Sequence, residues 1–216
     1  MRMRVYAGAA LAAVTLPGTA FAEARTIPVD EISTIEARDG VRIELVEGAA
    51  QISLEGPSDM LDRVDVQVRN GVVKVAPRRS LGVFGEAPQG VVVRIAAPAL
   101  SHLTLANGAL LEGRGLALGD VRAEVANGAI LSLSGSCGAG VFDAQRGGVV
   151  RAEGLACKNV TALASMGGVV RLHAKIAASA KASFGGLIEI AGDPERRVLE
   201  MSFGGVVRLQ PASQKH

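Results

Sequence analysis

Cys137 and Cys157 are the only cysteines in this 216-residue chain, one structural period of 20 residues apart. Two thiols so spaced meet if the chain coils on itself with that period. In an oxidising compartment a disulfide would join them and add about 3 kcal/mol through the unfolded chain. The other use of such a pair is as two stacked, buried thiols acting as small hydrophobes. A zinc centre is not indicated, because two thiolates do not fill a tetrahedral shell and His173 falls at no matching position. A second set is basic: Arg151, Arg171, Glu189 and Arg208 each follow a glycine doublet by three residues. Stacked at strand spacing they form an outward column. Three guanidinium groups in a row suit acidic sugars or other anions, whereas Glu189 between two arginines equally suits a salt-bridged solvent face.

Enzymatic chemistry finds less support. Polysaccharide-cleaving β-helices need clustered carboxylates, and Asp120, Glu124, Asp143, Glu153, Glu189 and Asp193 fall at different offsets from their doublets. Stacking is therefore not expected to gather them. The sequence has no Gly-x-Ser-x-Gly elbow, no Gly-x-x-x-x-Gly-Lys loop and no His-Glu-x-x-His. The glycine doublets lack the aspartate of calcium-binding repeats, so no metal or other cofactor is expected.

The elements that would position these residues are repeats. The doublets are Asn107-Gly108, Asn127-Gly128, Gly147-Gly148, Gly167-Gly168, Gly185-Gly186 and Gly204-Gly205, with second glycines 20, 20, 20, 18 and 19 residues apart. A recurring period followed by β-branched residues marks a solenoid. Glycine supplies positive φ at its sharp turns, and Asn is the next most tolerant residue. Aligned on the second glycine, Leu110, Ile130, Val150, Val170, Ile188 and Val207 share the second position after it. The fourth holds Glu112, Ser132, Ala152, Leu172, Ile190 and Leu209. Positions two and four then face a common interior in the last four coils. The first two coils break this rule, and the N-terminal strands are expected to cover their outer face. Met166, Phe184 and Phe203, two residues before their anchors, should stack.

Ahead of the repeats, Val41–Leu45, Gln51–Glu55 and Val64–Val68 alternate as strands, and Asn70-Gly71 marks a hairpin. A helical turn is expected behind Pro57, and a loop over 78–90. Within that loop, Leu81 to Phe84 either covers an open end of the solenoid or docks a partner. The chain opens with Arg2 and Arg4, an apolar run from Val5 to Leu16, and Ala20-Phe21-Ala22, the pattern of a signal peptide cleaved after Ala22. The run is too short to span a membrane. The organisation read from the sequence is a signal peptide over 1–22 and a single β-helix domain over 23–216. That domain divides into N-terminal strands and cap over 23–100, regular coils over 101–210 and a tail over 211–216.

Removing Arg2 and Arg4 from 23 basic residues balances them against 21 acidic ones. A neutral chain with 3% aromatics lacks both the field and the stacking platforms of a nucleic-acid binder. With no Trp, the core must come from small aliphatic residues.

The signal peptide, the Asn70-Gly71 hairpin, the segment Pro98-Ala99-Leu100-Ser101-His102-Leu103 and the repeated Asn-Gly-Ala and Gly-Gly-Val-Val turns together resemble the head GIN domain family of autotransporter adhesins. The resemblance covers roughly residues 25 to 210. It implies an all-β fold, a right-handed parallel β-helix of about 20 residues per coil, and carries no catalytic residues. The family usually has Ser-Gly-Ala-Gly or Ser-Gly-Ser-Gly at its turns, where this chain has Asn-Gly and Gly-Gly. The expected function is that of a non-enzymatic adhesin or ligand-binding module, exported to the periplasm or cell exterior of a bacterium. Its expected partner is a glycan or a cell-surface protein. A structural envelope protein that self-associates through its β-helix ends is the second expectation, and a polysaccharide-acting enzyme the third.

Overall fold

A computed structural model describes residues 23–78 and 89–210. The signal peptide, the Leu81–Phe84 stretch and the 211–216 tail lie outside the described residues. The N-terminal part contains β1 (Glu23–Ile27), β2 (Thr34–Arg38), β3 (Arg42–Val46), β4 (Gln51–Gly56), a single helical turn α1 (Ser58–Leu61), β5 (Val64–Arg69) and β6 (Val72–Pro77). After the loop come β7 (Val92–Ala96), β8 (His102–Ala106), β9 (Leu110–Ala117) and β10 (Val121–Ala126). Three long strands follow, β11 (Ile130–Gln145), β12 (Val149–Ser165) and β13 (Val169–Ala182). The last coil contributes β14 (Leu187–Ala191), β15 (Arg196–Met201) and β16 (Val206–Gln210).

These strands wind into a flattened parallel β-helix with two faces. On one, β6, β2, β8, β10, the C-terminal halves of β11, β12 and β13, and then β15 pair in parallel. On the other, β7, β3, β9, the N-terminal halves of β11 to β13, β14 and β16 do the same. The long strands run from one face round a corner to the other. Antiparallel pairs finish the N-terminal end, β1 with β4, β4 with β7, and β5 with β6 across the expected Asn70-Gly71 turn.

The turns correct the expected alignment. Each pairs two residues of positive φ: Asn107 and Gly108 (54° and 74°), Asn127 and Gly128 (54° and 73°), then Arg146 and Gly147 (48° and 74°). Met166 with Gly167, Phe184 with Gly185 and Phe203 with Gly204 continue the series. Two successive left-handed residues form the tight turn whose twist suits flanking strands. In the last four coils the first glycine of each doublet is therefore the turn glycine.

The second glycine does a different job. A Cβ on Gly148, Gly168, Gly186 or Gly205 would lie 2.2, 2.0, 2.3 or 2.2 Å from the carbonyl oxygen of Val125, Ala144, Ala164 or Ala182. In these four coils only a bare α-carbon lets one coil settle that closely on the one before it. Ala109 and Ala129 occupy the corresponding place in the first two coils.

With the turn glycines aligned, Leu110, Ile130, Val149, Val169, Leu187 and Val206 share a rung. The next rung, from Leu111 through Leu131, Val150, Val170 and Ile188, is fully buried. The first two coils thus obey the same alternation as the others. Their apparent exception came from the choice of glycine, and no N-terminal strand is needed over their outer face. β3 extends the stack at its N-terminal side instead, with Ile43 opposite Leu111. Its turn, Asp39-Gly40, has the same pair of positive φ values. Asn127 Nδ2 donates to Asn107 Oδ1 at 3.0 Å, and Asn107 Nδ2 to Asp39 Oδ1 at 2.8 Å, a side-chain ladder along three successive turns.

The core is aliphatic with Phe142 as its largest member, and no polar or charged side chain is buried among the described residues. Gly140 makes room for that ring, since a Cβ there would lie 2.6 Å from Phe142 Cε2. A register shift between Ser132 and Ser134 absorbs the residue by which the turns of β11 and β12 differ, so that Cys137 pairs with Cys157. The two are joined in a disulfide, with Cα atoms 4.5 Å apart.

Two outcomes are expected in denaturant unfolding. Gly168→Ala should destabilise by roughly 3 kcal/mol or more through its backbone clash, whereas Gly167→Ala, with open space around it, should cost only the left-handed strain of about 1 kcal/mol. The Cys137→Ala/Cys157→Ala pair should lose about 3 kcal/mol, and reductant should lower the wild type but leave this variant unchanged.

Candidate functional site

The outward column is longer than the doublets indicate. Register along the second face places Arg94, Glu44, Glu112, Ser132, Arg151, Arg171, Glu189 and Arg208 on successive strands. Most of these charges are satisfied locally. Arg94 donates to Glu44 at 2.8 Å and to Glu55 at 2.7 Å. The hydrogen bond to Glu44, then the charges of Glu44 and Glu55, push the Arg94 guanidinium above its ordinary pKa.

Glu189 is the hinge of the C-terminal part. Its side chain is only 14% exposed and lies 2.6 Å from Arg171 Nε and 3.7 Å from Arg208 Nη1. Arg171 and Arg208 are thereby committed to one carboxylate. Arg151 makes no ion pair among the described residues.

Around Arg151 the face is shaped into a trough of about 300 Å³. Its floor is β11, where Ser132 and Ser134 contribute short hydroxyl side chains. One wall is Glu112 and Arg114 from β9, the other Arg151 and Glu153 from β12. Short side chains on one strand between long ones on its two neighbours make a groove along the strand. Gly154 deepens it, since a Cβ there would come within 3.0 Å of Ser134 Cβ. Glu112 approaches Arg42 at 3.8 Å, and Ser134 Oγ accepts the Gly115 N–H at 3.4 Å. Arg114 and Glu153, like Arg151, make no ion pair among the described residues. Each wall thus carries one acid and one base, with hydroxyls between.

Of these residues the sequence reading singled out Arg151 as a contact. Aligning on the second glycine set Glu112 and Ser132 out of register with Arg151. The usable signal was the left-handed pair, which equates Asn-Gly with Arg146-Gly147 and puts all three on one rung.

The carboxylates also need a correction. Glu124 and Asp143 are direct neighbours on adjacent strands, because a register shift between Leu133 and Gly135 leaves the coils there 19 residues apart. Each has its own local partner: Arg122 Nε lies 3.1 Å from Glu124, and Gln145 Nε2 donates to Asp143 at 2.9 Å. Asp120 accepts the Ala139 N–H at 2.8 Å, and Asp193 pairs with Arg197. Among the described residues no group of three or more His, Cys, Asp or Glu could hold a metal ion, and no helix is long and apolar enough to cross a membrane.

Fold and surface together define a class: a β-solenoid with an aliphatic core whose outer face is a ladder of polar and charged side chains. The chain belongs to the family described as "Putative auto-transporter adhesin, head GIN domain", matched over residues 31–194. Its fold is also that of a structure titled a putative adhesin from Bacteroides fragilis, at 14% identity and a TM-score of 0.69, covering 89% of this chain and 98% of that one. A putative adhesin from Parabacteroides merdae is similar at 13% identity, with a TM-score of 0.43 and coverage of 88% and 96%. A protein from Parabacteroides distasonis titled a putative lipid binding protein is similar at 15% identity, with a TM-score of 0.44 and coverage of 88% and 96%. No curated protein matches the chain.

The two kinds of arginine should separate by mutation. Glu189→Ala, which leaves Arg171 and Arg208 on either side of an uncharged position, should lower stability by about 1 kcal/mol. Arg151→Ala should leave the unfolding midpoint unchanged; an equal loss in both would show that Arg151 too is structural.

Proposed function

We propose that this protein is a non-enzymatic binding module of the bacterial cell envelope, and that the trough over Ser132 and Ser134 receives a hydroxyl-rich glycan. The observation that carries this reading is the polar lining: Arg114, Arg151 and Glu153 make no ion pair among the described residues, and serine hydroxyls lie between them. A carboxylate accepts from vicinal hydroxyls, a guanidinium donates to ring and hydroxyl oxygens, and a serine does both. Two acids against two bases leave the trough formally neutral. It therefore suits an uncharged or zwitterionic sugar better than a polyanion, which would select for the full arginine column.

Membership of an adhesin family supports export and contact with a surface partner. The signal-peptide pattern and the Cys137–Cys157 bridge fit an oxidising compartment. Glu124 and Asp143, neighbouring carboxylates, are each held by a local partner and so are not poised for glycoside hydrolysis, which favours binding over turnover.

The test is a broad glycan array with the protein from residue 23 onward, at low and high salt. Selective binding that survives high salt and falls by about tenfold or more in both Arg151→Ala and Glu153→Gln is the expected result. Binding that is confined to acidic polysaccharides, vanishes with salt and is lost in Arg171→Ser would move the site to the arginine column. Release of cleaved product would overturn the non-enzymatic reading.

A further inference from the structure

Among the described residues the solenoid is finished at one end and open at the other. At the N-terminal end α1 and the antiparallel ribbons close over the core, and Leu61 and Val64 are buried there. At the C-terminal end β15 pairs only with β13, and β16 only with β14, so each presents a free edge among the described residues. At interior register in this last coil Arg197 pairs with Asp193, and the apolar residues are Leu199 and Met201 on β15 and Val207 and Leu209 on β16. Their counterparts one coil earlier, Ala180, Ala182, Ile188 and Ile190, are at most 2% exposed, whereas Met201 is 58% and Leu209 40% exposed. Phe203, at the last turn, stacks one face on Phe184 with centroids 4.8 Å apart and is itself 77% exposed. A free β edge carrying apolar side chains is a template for another strand.

The charges at that edge select the strand. Next to the last turn the outward charges are Glu200 on one face, beside Lys181, and Arg208 on the other, beside Glu189, with Arg196 further from the turn on β15. We propose that the open end receives a second copy of this chain, related by a two-fold axis running from the turn edge to the opposite edge. β15 of each copy then adds antiparallel to β16 of the other. Directly opposed residues of an antiparallel pair point to the same side. Setting Glu200 opposite Arg208 of the second copy also sets Leu199 opposite its Leu209 and Met201 opposite its Val207. One register thus joins acid to base outside and continues the apolar interior inside, twice over by symmetry. The charge column across the junction reads Lys181, Glu200, then Arg208 and Glu189 of the second copy, alternating in sign at every step. The axis also brings both exposed Phe203 turns to the same edge.

The other stacking modes lack this match. A two-fold axis perpendicular to the sheets places β16 against its own copy, with Arg208 facing Arg208, the apolar Val206 or the uncharged Gln210, and no acid. Head-to-tail stacking meets the closed N-terminal end. The surface is separate from the trough, so the two proposals stand or fall independently.

The test is the molar mass of the protein from residue 23 onward, by sedimentation or light scattering over a wide concentration range. A monomer–dimer equilibrium is expected. Glu200→Arg and Arg208→Glu should each raise the dimer dissociation constant by about tenfold or more, and the two together should restore it. Circular dichroism of each variant checks that the coil is intact, and Met201→Lys gives a second way to break the contact without reversing a paired charge. A monomer at all concentrations, an open-ended series of larger species, or a dimer indifferent to these changes would overturn the proposal.

Discussion

Everything in this molecule depends on one coil lying a strand's width from the next. Backbone hydrogen bonds of a parallel sheet demand that spacing on both faces at once, and the turn edge is where it is hardest to meet. The chain meets it with two devices side by side: a pair of left-handed residues that reverse the strand, and a following position of minimal size. In the later coils that position is a glycine whose α-carbon faces the preceding coil's carbonyl oxygen at a distance no Cβ could tolerate. The bulge between Ser132 and Ser134 and the disulfide at the opposite edge take up the remaining irregularity.

Once that spacing is met, side chains have little freedom in where they go. Inward positions form one continuous aliphatic column from Ile35 to Ile190, and the absence of buried charge follows from its narrowness. Outward positions form columns of like register, so charge order along a face is set by which residue each coil carries at one rung. Alternation such as Arg171, Glu189, Arg208 neutralises itself. Where a coil carries serine instead, the column is interrupted, and the long side chains on either side become the walls of a groove. Function in such a fold comes from breaks in the ladder rather than from the ladder itself.

A bulky residue at the left-handed position costs roughly 1–2 kcal/mol of local strain. Asn107 and Asn127 adopt it at little penalty and gain side-chain hydrogen bonds to neighbouring turns. Met166, Phe184 and Phe203 adopt the same φ with exposed apolar side chains, and Phe184 and Phe203 recover part of the cost by stacking on each other.

The doublet period, the β-branched runs after it and the Asn70-Gly71 hairpin were enough to read a solenoid with an aliphatic core. The shared period of Cys137 and Cys157 was enough to place them together. These features are local or strictly periodic, and a repeat converts sequence spacing directly into spatial neighbourhood. Left undecided was which glycine of each doublet turns the chain, since φ is a property of the folded backbone and both glycines permit it. That choice sets the register by one residue, and a one-residue slip exchanges inside for outside. Only the tertiary structure, through the carbonyl that leaves room for no Cβ at the second glycine, could decide that Glu112, Ser132 and Arg151 share a rung. It alone showed that β3 continues the stack and that Glu189 holds two of the four arginines of its column.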